Sequence, residues 1–273
     1  MKTLRLFGMA IVAVMLAMPA TSCDDDDDDD NTQIETTEDG IVTGQKKLVK
    51  IVEYREEREG SYVYIDVDTA ILRYDSKGRL IRWEEDDYYS KGSGFVYSHA
   101  YLQTYTWTEN SIAYHYIEDD CTGDYTLVIS DNLVMEKADG SYPVTYQYDS
   151  DKRIALESEK DDSYTDEYYY SWDGDKLVRC YRLGAYDNEF HYGGKTCKGY
   201  NPWLAGWASS LAVAHPELFG CRTNQLPDYL IRRYEDGEEE RRELSYTFYG
   251  DGYLESVTQT YDGRSYKETY FWE

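Results

Sequence analysis

Short segments of alternating apolar and polar residues, separated by turn residues, follow one another along the chain from about residue 45. The clearest unit is 72–83, in which Tyr74 ends one alternation, Asp, Ser, Lys and Gly supply a turn, and Leu80 begins the next. Period-2 alternation bounded by turn residues is typical of β-strands joined in hairpins. The pattern therefore predicts an all-β protein.

Degraded copies of this unit recur along the chain. In each copy a turn follows the last residue of one predicted strand, and a Leu or Ile lies at the start of the next. The copies lie at residues 107–112, 129–133, 148–154, 172–177 and 249–254. Asp-Gly pairs, a strong hairpin signal, occur between copies at 139–140, 236–237 and 262–263. Two alternating kinds of turn predict a single-domain, antiparallel up-and-down meander, and the irregular spacing argues against a solenoid or propeller.

The apolar positions change phase within one predicted strand. Val63, Ile65 and Val67 alternate with polar residues, but Ala70 and Leu72 lie on the other parity. A β-bulge shifts the facing of side chains by one residue. A bulge between the two sets of positions is therefore one explanation of the phase change.

One stretch has helical rather than strand periodicity. Asn201 is a favourable N-cap and Pro202 suits the first helical position. Trp203, Trp207 and Leu211 follow at i, i+4 and i+8, on one helical face, before Pro216. The spacing predicts one inserted short helix around 202–214, within a helix-and-loop insertion at 185–227.

The N-terminus has the layout of an exported, lipid-anchored protein. Residues 1–22 combine a basic start with a short apolar run and predict a signal peptide. The segment from Ala20 to Cys23 resembles a bacterial lipobox, which predicts lipidation of Cys23. Seven acidic residues follow at once: Asp24, Asp25, Asp26, Asp27, Asp28, Asp29 and Asp30. Such a run stays solvated, so 23–44 is predicted to be a lipidated acidic tether before a β-meander domain at 45–273.

Composition limits the partners of this domain. The chain has 54 acidic and 28 basic residues and a formal charge of −26, which repels nucleic acid and anionic membrane surfaces. Its 31 tyrosines suit a sheet with one half-wet face, because the ring packs while the hydroxyl stays solvated. Cys121, Cys180, Cys197 and Cys221 permit disulfides in an exported protein, and a bridge between Cys197 and Cys221 remains an alternative to free thiols.

The lipobox, the Tyr-Asp hairpins and the late segment 220–227 together resemble a family of Bacteroidetes lipoproteins whose molecular function is not established. The hairpins also loosely resemble the tyrosine-aspartate repeats of toxin shells. The family resemblance implies a porin-like sheet of many strands, either strongly curved or an open barrel of roughly ten or more strands. In such lipoproteins an acidic stretch after the lipidated cysteine resembles a signal for export to the cell surface, which implies that residues 24–30 have this role. The resemblance supplies no catalytic residues.

Motifs for catalysis or cofactor binding do not stand out. The sequence contains no HExxH, GxSxG, P-loop or GxGxxG pattern. His99, His115, His191 and His215 are scattered, and no close pair of cysteines indicates zinc. Trp203 and Trp207 could form a sugar-stacking platform, although a core plug beneath the helix is the favoured interpretation. Carboxylate pairs of the kind used by glycoside hydrolases are expected by chance in so acidic a chain.

These observations predict a surface-exposed lipoprotein of the outer membrane that acts as a non-catalytic binding or interaction module. Its partners are expected to be the membrane, through the lipid anchor, and a glycan or protein ligand, with no nucleic acid. No metal, cofactor or catalytic residue is expected. The alternative is a glycan-active hydrolase that uses paired carboxylates.

Overall fold

A computed structural model of the protein describes residues 45–59, 62–92, 94–119, 121–138, 143–160 and 165–273. The predicted signal peptide, Cys23, the acidic run 24–30 and the Asp-Gly pair at 139–140 lie outside these residues. In the described part of the chain, strands predominate and the helices are short.

Sixteen antiparallel strands form a closed barrel, and two further short strands, β13 and β14, pair with each other. The strands are β1 (Leu48–Glu59), β2 (Tyr62–Tyr74), β3 (Leu80–Lys91), β4 (Gly94–Trp107), β5 (Ser111–Glu118), β6 (Cys121–Ser130), β7 (Leu133–Ala138), β8 (Val144–Tyr148), β9 (Ile154–Lys160), β10 (Thr165–Asp173), β11 (Lys176–Arg182), β12 (Tyr186–His191), β13 (Lys195–Thr196), β14 (Gln225–Leu226), β15 (Tyr229–Tyr234), β16 (Glu239–Phe248), β17 (Leu254–Tyr261) and β18 (Arg264–Trp272).

The predicted all-β meander is confirmed, and the sheet closes. Each barrel strand pairs with its neighbour in sequence, apart from β12, which pairs with β15 across an insertion. The first and last strands pair from Leu48↔Trp272 to Glu56↔Ser265. Each of the sixteen strands is paired with a neighbour on both sides, so the sheet has no unpaired edge strand.

The two predicted kinds of turn lie at opposite ends of the barrel. The repeat unit forms the turns β2–β3, β4–β5, β6–β7, β8–β9, β10–β11 and β16–β17. Its aromatic residue pairs with an apolar residue at the start of the next strand, as in Tyr74↔Leu80 and Trp172↔Leu177. We call this the plug end, because the insertion also leaves the sheet here. The Asp-Gly turns at 236–237 and 262–263 lie at the opposite, mouth end.

Residues 192–228 form a plug that packs inside the barrel. Its helices α1 (Pro202–Ala205) and α2 (Ser210–Ala214) are followed by a 3-10 turn, Pro216–Phe219. Side chains from these elements lie in one apolar core with inward residues of the strands. In this core, Phe219 meets the Tyr146 ring edge-on with centroids 5.5 Å apart. None of the helices in the described residues is long and apolar enough to cross a membrane.

The prediction of one continuous helix over 202–214 is wrong. Asn201 caps α1 as predicted, its side chain accepting from the Leu204 N–H at 3.4 Å. The helix then tightens, because the N–H of Trp207 donates to the Leu204 carbonyl three residues back. Ser209 starts α2 as a second N-cap by accepting from the Ala212 N–H at 3.1 Å. Periodicity alone did not reveal that this serine competes with helix continuation.

Two further predictions about the strands need correction. The insertion begins at residue 192 rather than 185, because Tyr186–His191 is a barrel strand that pairs with β11 and β15. The bulge considered between residues 67 and 70 is absent, since β2 keeps one register with β1 from Tyr62 to Ile71. The phase of the apolar positions changes because the inside of the barrel is apolar at one end of β2 and polar further along it. Leu72 faces the apolar core, whereas Asp68 faces a polar cavity on the same side of the strand.

Candidate functional site

A cavity of 710 Å³ lies inside the barrel on the mouth side of the plug. Its floor comes from the plug, with Trp203, Trp207 and Ser210, and its walls come from inward side chains of the strands. A second cavity of 270 Å³ shares Glu157, Glu159, Ala208 and Ser210 with the first. Together these spaces form what we call the lumen. Concave sites with aromatic surfaces and a few converging polar groups are the usual places for ligands.

Four carboxyl groups occupy one cross-strand row on neighbouring strands, which we call the carboxyl row: Glu268 (β18), Glu53 (β1), Asp68 (β2) and Asp87 (β3). Glu53 lies directly opposite both Glu268 and Asp68, and Asp68 lies opposite Asp87. Like charges at directly opposed positions destabilise a sheet. The row continues to His99 on β4, which bonds the Asp119 carboxylate at 2.9 Å.

Burial raises the pKa of every member of the carboxyl row. The pKa of Asp68 is raised to about 7 by burial and by the nearby Asp66 and Asp87 carboxylates. Burial raises the pKa of both Glu53 and Glu268, and the Glu53 carboxylate raises that of Glu268 further, although hydroxyl groups of Tyr266 and Tyr270 donate to them. The row is therefore a site where ionisation is costly and a positive charge would be stabilised.

A further carboxyl group faces the lumen from the other side of the barrel. Glu157 lies on β9, which is eight strands from β1 in either direction around the ring. Burial raises its pKa to about 7, and the Tyr170 hydroxyl donates to it at 3.4 Å. Glu53 and Glu157 line the same cavity, so acidic groups approach its space from opposite walls.

The predicted binding aromatics Trp203 and Trp207 both line the cavity floor. Trp203 is only 4% exposed and belongs to the apolar core, whereas Trp207 is half-buried. Both rings meet Phe190 edge-on, with centroids 6.2 and 5.5 Å away. Trp203 and Trp207 therefore both pack on the core and line a cavity, two roles that the sequence analysis treated as alternatives.

Five tyrosines form a second aromatic surface on the inner faces of β4, β5 and β6. Rings of Tyr114 and Tyr125 stack with centroids 5.1 Å apart, and Tyr116 stacks on Tyr125 at 5.6 Å. Tyr105 and Tyr101 continue this surface at 5.9 Å from Tyr114 and 6.2 Å from Tyr116. The excess of tyrosine in the composition was the only sign of it.

One histidine and two cysteines of the plug have contacts that stabilise the fold. His215 accepts a hydrogen bond from the Leu80 N–H at 3.0 Å and so joins the plug to β3. Cys197 and Cys221 are buried free thiols that face the carbonyls of Asn224 and Pro216, and no bridge joins them. Among the described residues, no three or more His, Cys, Asp or Glu side chains are arranged so that they could hold a metal ion.

The sequence matches no known protein family, and no curated protein resembles it significantly. Matches among solved structures include two porin-like proteins. One is a porin-like protein from Bacteroides uniformis, with a TM-score of 0.61, 15% identity, and coverage of 83% of this chain and 96% of that chain. The other is a porin-like protein from Bacteroides vulgatus, with a TM-score of 0.31, 11% identity, and coverage of 84% and 99%. The first likeness supports the porin-like barrel fold.

Proposed function

We propose that the protein is a lipid-anchored, surface-exposed binding protein whose barrel stands in water and takes a small polar ligand into its lumen. The observation that carries the proposal is the 710 Å³ cavity between an aromatic floor and walls of carboxyl and tyrosine side chains. A fold alone does not indicate function, whereas a cavity with these side chains indicates a ligand.

The outer face of the barrel supports its placement outside the lipid. Arg179 forms an outward ion pair with Asp187 at 2.8 Å, and Arg233 forms one with Glu189 at 2.9 Å. A membrane-embedded barrel presents an apolar band about 25 Å tall, and Arg at the bilayer midplane costs about 2–4 kcal/mol. These charged pairs lie within strands β11, β12 and β15, where such a band would run.

Anchoring then depends on the N-terminus. Cys23 and the residues 24–30 supply the expected lipid and export signal, and a single lipidated segment suits a domain without lipid-facing strands. Cell fractionation of Cys23→Ala tests this placement. Release of the variant from the membrane fraction is expected, whereas retention after a high-salt wash would show that the barrel itself is embedded.

Binding in the lumen is tested by a thermal-shift screen of neutral saccharides, amines and short peptides with the purified protein. Ser210 is exposed at the cavity surface on α2 and lines both chambers, so Ser210→Trp is designed to fill the lumen from within. Any compound that raises the Tm of the wild type should fail to do so with Ser210→Trp. Tyr181→Trp, on the outer face, is the matched control.

The saccharides of this screen, incubated with the protein and assayed for hydrolysis, test the alternative of a glycan hydrolase. Release of new reducing ends from an oligosaccharide, lost in Glu157→Gln, would favour catalysis by paired carboxylates over binding. Stabilisation by a ligand that is recovered unchanged supports the binding function. Equal Tm shifts in the wild type and Ser210→Trp would contradict a lumenal site.

A further inference from the structure

The lumen holds more acidic than basic side chains, and its bases have partners. Lys137 lines the smaller chamber, and its Nζ lies 4.8 Å from the centroid of the Tyr125 ring. Six carboxyl groups line the main cavity, against Arg55 and Arg242. Arg242 pairs with Glu240, and Arg55 lies 3.4 Å from Asp66. Neither Glu240 nor Asp66 lines this cavity. The six lining carboxyl groups are those of Glu53, Asp68, Glu85, Glu157, Glu159 and Glu268.

The hydrogen bonds of these carboxyl groups come from neutral donors. The Tyr270 hydroxyl donates to Glu268 at 2.5 Å, and the Trp83 indole donates to Glu85 at 2.9 Å. No ion pair within the described residues reaches Glu53, Asp68 or Glu268. Asp87 adds a buried Oδ1 that has no hydrogen-bond partner in the described part of the chain. A buried charge without a partner is costly, and a bound cation would remove that cost.

Aromatic surfaces lie between the two acidic walls. Trp203 and Trp207 form the floor, and Tyr168 on β10 stands beside Glu157 on the neighbouring strand. Ring faces attract ammonium groups, most strongly where the cation is desolvated. Carboxylates at two separated places, with aromatic rings between them, match a ligand that has charged ends and an apolar middle.

Building on the proposed binding function, we propose that the lumen binds a linear polyamine, with one ammonium group at the carboxyl row and another at Glu157. The methylene chain then lies over Trp207, and the two ammonium groups donate to carboxylates on opposite walls. The 710 Å³ cavity has room for a ligand of this size, and the excess of acidic groups that line it favours a positive charge on the ligand.

Binding should also release protons. Carboxyl groups whose pKa is near 7, as for Asp68 and Glu157, are partly protonated at neutral pH, and an ammonium ion favours their ionised form. His99 and its partners Glu118 and Asp119 face the end of the carboxyl row, and Arg55 and Arg242 face the cavity. Lys137, Glu159 and Asp166 act on Glu157 in the same way, so all of these groups affect the titration. Calorimetry in two buffers of different ionisation enthalpy measures the protons released.

The test is calorimetric titration of the purified protein with spermidine, with butylamine and butanediol as a monovalent and a neutral comparison. Asp68→Asn and Glu157→Gln are each expected to weaken spermidine at least tenfold. Asp86→Asn, on the outer face of β3 beside Asp87, is the matched control and should leave the affinity unchanged. Butylamine should bind at least tenfold more weakly than spermidine, and butanediol should give no heat.

Several outcomes would overturn the proposal. Equal losses in Asp68→Asn and Asp86→Asn would assign the effect to general charge, and unchanged affinity in both lumenal variants would place spermidine elsewhere. Binding of Ca²⁺ in the same site with greater affinity would indicate a metal site instead. A neutral saccharide that binds in a Ser210→Trp-sensitive manner, without spermidine binding, would exclude the polyamine but retain the proposed binding function.

Discussion

The indole Nε1 of Trp172 donates a hydrogen bond of 2.7 Å to the carbonyl oxygen of Ile154, the first residue of the preceding strand. Trp272 makes the same bond to Leu254, and Trp107 makes it to Leu80, each at 2.7 Å. Tyrosine hydroxyls repeat the arrangement from Tyr74 to Leu48, from Tyr148 to Val134 and from Tyr192 to Leu177. Each of these six bonds joins the plug-end termini of the two strands of a mouth-end hairpin, and the repeat supplies the aromatic residue in four of them.

Replacing Trp172 by Phe should destabilise the barrel by about 1–3 kcal/mol, because the Ile154 carbonyl loses its side-chain donor and some packing is lost. Urea unfolding of the purified protein measures the change. Tyr181→Phe is the control, since this outer-face ring stacks on Tyr169 with centroids 4.6 Å apart and no hydrogen bond of its hydroxyl occurs among the described residues. Comparable losses in both variants would contradict the role given to the repeat.

The repeat explains why so much of the fold could be predicted. A turn between Tyr74 and Leu80 constrains only neighbouring residues, so local alternation and turn chemistry suffice to indicate hairpins. Closure could not be predicted in this way, because the pairing of Glu53 with Glu268 joins the two ends of the chain. The strand β12 was missed because its sequence, Tyr-Asp-Asn-Glu-Phe-His, contains few apolar residues, and its Asn188 is buried as a partner of Arg232.

The candidate site was harder to predict from the sequence, because it too depends on contacts between residues that are distant in the chain. With 54 acidic residues in the chain, those of the carboxyl row are distinguished only by the registers that bring Glu53, Asp68 and Asp87 side by side. Trp203 and Trp207 were found because helical spacing is a local property. Their position between the apolar core and the cavity could not be predicted, because it requires that the plug lies inside the barrel.

Gly220→Ala should be severely destabilising, whereas Gly237→Ala should cost about 1 kcal/mol. Both glycines have left-handed backbones, with φ of 57° and 87°, so both substitutions strain the chain. An added Cβ at Gly220 would also overlap the Lys152 carbonyl, whereas nothing lies near Gly237. The difference in unfolding free energy between the two variants measures how closely the plug meets the β8–β9 turn. Similar values would show that this contact is loose.

His215→Phe should cost about 1–3 kcal/mol, since the Leu80 N–H would lose its acceptor in a buried position. Phe retains a ring in contact with Trp107, whose centroid is 5.1 Å from the His215 ring. The variant therefore removes the 3.0 Å hydrogen bond to Leu80 together with the 3.0 Å contact between His215 Nδ1 and Glu217. His115→Phe, at the surface of β5, is the control and should change the unfolding free energy by less than about 0.5 kcal/mol. A difference of less than this between the variants would argue against His215 as the link between plug and wall.

Stability should fall as pH rises from about 4 to about 7, because Asp68 has a raised pKa, near 7, in the folded protein. In this window the native state binds more protons than the unfolded state, so the free energy of unfolding decreases with pH. Asp68→Asn should flatten the dependence of Tm on pH and raise Tm by a few degrees at about pH 8. Asp86→Asn should leave the slope unaltered, and an unaltered slope in Asp68→Asn would show that this carboxyl group ionises freely in the barrel.

A crystal structure of the protein grown with spermidine tests the lumenal site most directly. The account predicts density for one spermidine above Trp207, with its ends at the carboxyl row and at Glu157, and with the barrel otherwise unchanged. Spermidine found only on the outer face, or a lumen filled by side chains of the plug, would contradict the claim that this barrel binds its ligand inside.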